Sequence, residues 1–272
     1  MTVVVGFNWL SEMVMIADTR VSWPHGTLPP QDNLIKLYTF RDHQGKAAVL
    51  GFSGKICAAK AVLVYLKQRV FPNYGRPFIM ATLKDNLQGW IERVVTTKLT
   101  PEARAELKFV LCGAEPSRHP PVARNGKVVG FLSVPELHLY RYVIAKNSGR
   151  VMVSRNCGFA IIGSGQQLEK EIHQKVNQTI RFGFASPQLH WARAALISDV
   201  IALMFRDRPS DKVGGPFQTI RVTANGISEH YTWPPVGGSA NVQVQRVGGR
   251  LTIRNRESGE TYDLYPIWNL PP

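Results

Sequence analysis

The opening of the chain constrains its fold most. Two β-rich runs, Val3-Val-Val-Gly-Phe7 and Met13-Val-Met-Ile-Ala-Asp18, are almost continuously apolar, with only the turn-prone Asn8–Glu12 stretch between them. A strand with one wet face alternates polar and apolar residues. These runs do not alternate, so both of their faces must be covered, by helices or by a second sheet. Such a chain has to be layered, with this strand pair inside.

The remaining elements say what the layers are. Leu34–Phe40 reads as a third strand and Ala47–Phe52 as a fourth, joined by the turn Asp42-His-Gln-Gly45. Ser53-Gly54-Lys55 closes that strand and opens a helix to about Val70. Phe71–Pro77 breaks the helix, and a second runs from about Phe78 to Thr97. Leu107–Cys112 is a buried strand, Pro116–Gly130 a surface loop, and Glu136–Ile144, Gly149–Ser154 and Phe159–Ile162 are further strands. Gly163-Ser164-Gly165 ends the last of these. Helices over Gln166–Arg181 and Pro187–Arg206 follow, then a strand at Phe217–Val222 and the turn Ala224-Asn-Gly226. Strands and helices come in blocks, which predicts an α+β sandwich with packed sheets inside and helices outside, not a doubly wound sheet.

From about Pro234 the texture changes. Val242-Gln-Val-Gln, Leu251-Thr-Ile-Arg and Thr261-Tyr-Asp-Leu264 alternate polar and apolar residues between turn signals. The division is therefore a main domain over 1–233 and a β-meander extension over 234–272. A unit of that size is marginal alone, so it is expected to pack on a neighbouring subunit; folding back on its own domain is the other outcome.

Hydrophobic content of 44% and charged content of 19% over 272 residues describe a soluble globular protein. The net charge of +14 suits either a polyanion partner or a diffuse basic surface. No tight Lys/Arg block exists, and Arg246, Arg250, Arg254 and Arg256 fall at strand-like spacing near Glu257, Glu260 and Asp263, so nucleic acid is the disfavoured partner. Cys57, Cys112 and Cys157 show no paired spacing, which argues against zinc or a disulfide framework and fits a reducing cytosol. No metal or other cofactor is expected. The N-terminus lacks a signal-peptide pattern, and no apolar run approaches the about 18 residues of a membrane span, so a cytoplasmic location is expected.

Thr2 directly follows Met1. A threonine freed at the N-terminus carries a hydroxyl nucleophile and, on the same residue, an amine with a pKa of about 7.7–8 that can take its proton. Met-Thr by itself is commonplace and would otherwise only begin an edge strand. The run Thr2-Val-Val-Val-Gly6 with Ile16-Ala-Asp18-Thr-Arg20-Val-Ser22 resembles the start of a mature proteasome β-type subunit or bacterial proteasome-like peptidase. So do Ile35-Lys36-Leu37, Phe52-Ser53-Gly54, Ile161-Ile-Gly-Ser164-Gly-Gln166, Val213-Gly-Gly-Pro-Phe217 and Val222-Thr-Ala-Asn-Gly226, over roughly residues 2–232.

The resemblance implies an N-terminal-nucleophile hydrolase fold, a four-layer αββα sandwich of two antiparallel sheets between helix layers. It implies a threonine-type endopeptidase inside a self-compartmentalising homo-oligomeric ring, acting on peptides or unfolded proteins, with Met1 removed. Any ATP-dependent unfoldase partner is invisible in the sequence. Thr2 would be the nucleophile, Lys36 the charge that lowers its amine pKa, Asp18 the partner of that lysine and Ser164 a hydrogen-bonding group on the amine. Gly54 would donate its N–H to the oxyanion. Asp211 would be the third supporting group, with Asp207 as the competing assignment. Ser22 would contact substrate backbone, and Val21, Leu34, Phe52 and Ile56 would shape an apolar first pocket, although periodicity alone also reads them as core. One departure is Val213, which stands where active members carry a serine. A catalytically silent ring subunit is the alternative reading.

Overall fold

The computed structural model describes residues 2–9, 12–21, 31–116, 122–124, 127–130, 135–156, 158–182, 201, 213–232, 242–247, 250–256 and 259–269. In chain order, β1 (Val3–Trp9) and β2 (Glu12–Asp18) form a hairpin, and short β3 (Arg20–Val21) pairs with β4 (Gln31–Asp32). Next come β5 (Leu37–Arg41), β6 (Ala47–Ser53), α1 (Ile56–Tyr65), α2 (Met80–Lys98), the single turn α3 (Pro101–Arg104) and β7 (Lys108–Glu115). A hairpin of β8 (Val122–Arg124) and β9 (Lys127–Gly130) precedes β10 (Glu136–Ile144), β11 (Val151–Arg155) and β12 (Phe159–Gly163). The chain continues through α4 (Glu169–Phe182), β13 (Phe217–Thr223) and β14 (Gly226–Thr232), then β15 (Val242–Val247), β16 (Arg250–Asn255) and β17 (Thr261–Leu264).

The fold is α+β. One five-stranded antiparallel sheet has the order β12-β1-β2-β13-β14 and the other β11-β10-β7-β6-β5. Alternate residues of each strand enter different layers, as the period of two requires. Val4, Met13, Met15 and Ala17 meet Leu37, Val49, Val110 and Leu139 between the sheets. Val3, Val5, Phe7, Val14 and Ile16 face the other way, onto Ile172 and Val176 of α4. Behind the second sheet, Leu50, Phe52, Phe109 and Leu111 pack on Val62 and Leu63 of α1 and on Leu83, Leu87 and Ile91 of α2. The helix stripes at four-residue spacing are what an amphipathic helix needs to cover a sheet. The double-sided apolar character of β1 and β2 thus has its cause: a sheet on one face and a helix on the other.

Several element expectations shift. Leu34 is an isolated bridge to Tyr265 and the strand proper begins at Leu37. The first helix continues from α1 as a π-helical turn over Leu66–Val70, and Ser164–Leu168 is a 3-10 turn before α4. The expected surface loop at 116–130 contains the β8–β9 hairpin, whose strands flank an Asn125-Gly126 pair, a strong hairpin signal in sequence. Of the helix expected over 187–206, only Ile201 lies among the described residues, and it is helical and buried.

The C-terminal meander folds back on its own chain. The order β15-β16-β17 carries a small core of Leu251, Ile253 and Leu264 against Tyr231 of β14, with Ile35 packed at its side. Ile267 is fully buried in the cluster behind the second sheet. A three-stranded unit too small to stand alone has found its apolar cover within the same chain.

Candidate active site

Four strand ends meet at one corner of the sandwich. Thr2 precedes β1, Asp18 ends β2, Lys36 precedes β5 and Ser164 follows β12. The first sheet brings three of these together directly, because β1 lies between β12 and β2. Val3 pairs with Gly163, and the Ser164 N–H donates to the Thr2 carbonyl at 2.8 Å. Gly163 has to be glycine: its φ is +85°, and a Cβ there would run into the Thr2 carbonyl.

Asp18 is the hub of the corner. Its Oδ1 accepts from the Val3 N–H at 2.9 Å and from Lys36 Nζ at 2.9 Å, and both charged side chains are buried. Lys36 also donates to the Arg20 carbonyl at 2.6 Å. Burial pushes the Asp18 carboxyl above the usual carboxylate range, while the Lys36 charge and the amides of Val3 and Gly214 pull it down. A buried pair of this kind adds little net stability, but removing either partner strands the other charge.

Lys36 is held on both sides through its neighbours' backbones. The Gln218 side chain of β13 accepts from the Leu37 N–H at 3.0 Å and donates to the Leu37 carbonyl at 3.2 Å. On the other side Ile35 N–H donates to the Tyr265 carbonyl and Tyr265 N–H to the Asn33 carbonyl. Lys36 is fully buried, not the surface lysine of an edge strand.

The corner also collects polar atoms that lack hydrogen-bond partners. Asp18 Oδ2, Thr19 Oγ1, Ser53 Oγ and Ser164 Oγ are all buried in this condition. Ser53 is the residue that sequence reasoning passed over. It sits inside the Phe52-Ser53-Gly54 motif, and its Cβ lies 3.2 Å from where a Cβ on Gly163 would be, beside Thr2. Its motif was the available signal; nothing local distinguished its hydroxyl from that of a strand-end serine.

Other predicted residues have different surroundings. A Cβ at Gly54 would come 2.6 Å from the Glu106 carbonyl, so close packing alone accounts for the glycine. Val21, Leu34 and Phe52 are buried members of the cluster behind the second sheet, and half-buried Ile56 packs against it. Val213 is buried among Val3 and Val5. Ser22, Asp207 and Asp211 lie outside the described residues.

Among the described residues one group could share a metal ion: Glu115, Glu136 and His138, with ligand atoms within 4.8 Å of one another. It lies at the opposite end of β7 from the Ser53–Lys108 pair, with His138 Nε2 3.8 Å from a Glu115 carboxylate oxygen and 3.7 Å from one of Glu136. No described helix is long and apolar enough to cross a membrane.

No family model matches the chain, and no curated protein matches it in sequence. Solved structures do match its fold. The helical assembly of the Anbu complex from Pseudomonas aeruginosa superposes with a TM-score of 0.55 at 15% identity, covering 86% of this chain and 88% of that one. Anbu (ancestral beta-subunit) from Yersinia bercovieri gives 0.54 at 14% identity, covering 86% and 88%. An Anbu (Gly-1) mutant from Hyphomicrobium sp. strain MC1 gives 0.56 at 16%, covering 87% and 89%. These findings correct the resemblance to proteasome β-type subunits and bacterial proteasome-like peptidases. The likeness is to Anbu proteins, a distinct family of proteasome-like fold, and at this identity it reaches only the fold. The physical reason is in the motifs themselves. Glycines and serines such as Gly163 and Ser164 sit where strands turn and backbones approach, so their spacing reports the sandwich and not one family within it.

Proposed function

We propose that this chain is a threonine-type peptidase acting through Thr2 as a free N-terminal residue, once whatever precedes it is removed. One observation carries the reading: the N–H that follows Thr2 and the buried Lys36 ammonium share a single Asp18 oxygen. That arrangement holds a positive charge beside the Thr2 backbone, where it lowers the pKa of a terminal amine and favours the ionised hydroxyl. The Thr2 hydroxyl attacks the peptide carbonyl and passes its proton to the amine, which returns it to the departing amine of the cleaved bond. Water then hydrolyses the resulting ester. Ser164, joined by Ser53, orients the amine; Gly54 donates to the oxyanion and Asp211 supplies the third supporting group. Ser22 binds the substrate backbone in this scheme, and Val21, Leu34, Phe52 and Ile56 bound the first pocket. Confinement of such a site calls for a homo-oligomeric ring, with the main domain over 1–233 as its unit.

Intact mass after incubation with a peptide epoxyketone, which bonds to both hydroxyl and amine of a terminal threonine, tests the proposal. An adduct that vanishes in Thr2→Ala is expected. A chain beginning at Thr2 that takes no adduct would sink it. The second reading, a catalytically silent subunit, draws on the apolar burial of Val213 where a supporting hydroxyl is wanted, and the same failed labelling would favour it.

A further inference from the structure

The meander ends in a segment that does more than cover apolar surface. Tyr265 adds to the chain ahead of β5 as a parallel bridge to Leu34, bonding both the Ile35 N–H and the Asn33 carbonyl. Beyond it, the Ile267 N–H donates to the Tyr38 hydroxyl at 2.8 Å, and that hydroxyl donates to the Ile35 carbonyl at 2.6 Å. The Tyr38 ring is covered by Trp268, with centroids 4.9 Å apart, and Lys67 Nζ stands 3.6 Å over Trp268. Both backbone groups of Ile35 are therefore committed to the C-terminal segment, one directly and one through Tyr38. Lys36, the next residue, has no freedom left on that side, and Gln218 fixes Leu37 on the other.

We propose that Tyr265–Trp268 is a working part of the Thr2 corner, setting the position of the Lys36 ammonium against Asp18, with Tyr38 as the positioning residue that couples them. This rests on the peptidase reading only for its consequence in rate; the coupling itself is a property of the strand. A tyrosine hydroxyl bridging two backbone groups is an all-or-none linker. Its loss leaves a buried N–H and a part-buried carbonyl unsatisfied, and the strand relieves both by shifting, which carries Lys36 with it.

The test uses the full chain with Tyr38→Phe, which keeps the ring against Phe52 and Trp268. The control is Thr252→Val, which removes a hydrogen bond inside the meander away from residues 33–38. The Lys36 side-chain 13Cε–15Nζ resonance and amide exchange at Ile35 are read by NMR, and adduct formation on Thr2 is timed. Tyr38→Phe is expected to move the Lys36 resonance, speed Ile35 exchange about tenfold and slow labelling by a similar factor. The control should change melting temperature alone. A Tyr38→Phe protein with a lower melting temperature but an unmoved Lys36 resonance and wild-type Ile35 exchange would overturn the coupling. If the wild-type chain takes no adduct yet Tyr38→Phe moves the Lys36 resonance, the peptidase reading falls and the coupling stands. Should Tyr38→Phe not fold, Trp268→Leu, which strips the ring from Tyr38, must give the same shift in smaller measure; no shift refutes the proposal.

Discussion

The Thr2 corner buries a cluster of polar side chains, whereas the C-terminal meander keeps its ion pairs at the surface. In the meander, Arg250 pairs with Asp263, Thr252 donates to the same carboxylate at 2.7 Å, and Arg246 reaches across to Glu229. These groups face water and are partnered anyway. At the corner, Asp18 Oδ2, Thr19 Oγ1, Ser53 Oγ and Ser164 Oγ are buried without partners. Each such atom costs about 1–3 kcal/mol, so selection for stability alone would have paired or replaced them. Unsatisfied groups gathered at one place suit a site that must receive another molecule's polar atoms.

The sharpest way to break this contrast is to remove a charge from each region. Lys36→Met is expected to lower Thr2 labelling by orders of magnitude and to cost about 3–5 kcal/mol in denaturant unfolding, because Asp18 is left buried and unpaired. Arg250→Ala, which breaks an exposed pair, should change neither quantity measurably. If Lys36→Met left rate and stability unchanged, the corner would not be a site at all.

Two glycines make the same comparison through the backbone. Gly163 has φ +85° and Gly259 φ +75°, so both occupy the left-handed region. A Cβ on Gly163 meets the Thr2 carbonyl and Ser53, whereas one on Gly259 meets nothing within 4 Å. Gly163→Ala should therefore cost more than about 4 kcal/mol or prevent folding. Gly259→Ala carries only the conformational penalty of about 1–2 kcal/mol. Thermal melts of the pair separate crowding from backbone strain.

His230 lies on β14, the edge strand of the first sheet, against which the meander packs. Burial, and then the Arg221 charge, lower its pKa to about 4, against the opposing pull of Glu229. The unfolded chain therefore binds a proton between its ordinary value near 6.5 and about 4 while the folded chain does not. Stability from this group is whole above pH 6.5 and is lost as pH falls toward 4, by up to about 3 kcal/mol. His230→Gln should flatten that part of the curve. A wild-type stability that stays level from pH 7 to 4 would contradict it.

How much of this was legible in sequence follows the same division. Thr2, Asp18, Lys36 and Ser164 were singled out through the family resemblance and not through any local pattern; the sheets and the Lys36–Asp18 contact bring those strand ends together. Val21, Leu34 and Phe52 could not be assigned to pocket wall or core, since an apolar residue on a strand looks the same in either place; their burial in one cluster is what either role requires. The meander's strands were visible in their alternation, but not their partner. Tyr265 bonds to Asn33 and Ile35 across the whole length of the chain, and no periodicity encodes a contact of that range. Ser53 was seen as a motif letter and missed as a buried hydroxyl, because lacking a partner is a fact about neighbours.

That hydroxyl gives the smallest effect and the most discriminating sign. Ser53 Oγ is buried and unpartnered, so Ser53→Ala removes a desolvated polar atom and should raise stability by about 1 kcal/mol. Thr252→Ala removes a hydroxyl that donates to Asp263 at 2.7 Å and should lower stability by about the same amount. Both changes delete one hydroxyl, and Thr252→Ala deletes a methyl besides, so it is the rise in Ser53→Ala that must come from the surroundings. If Ser53 helps hold the Thr2 amine, its alanine variant should also label more slowly despite being the more stable protein. Parallel denaturant titrations and labelling time courses read both quantities. A Ser53→Ala chain that is less stable than wild type would mean the hydroxyl has a partner after all, and the corner would lose one of the features that set it apart from the meander.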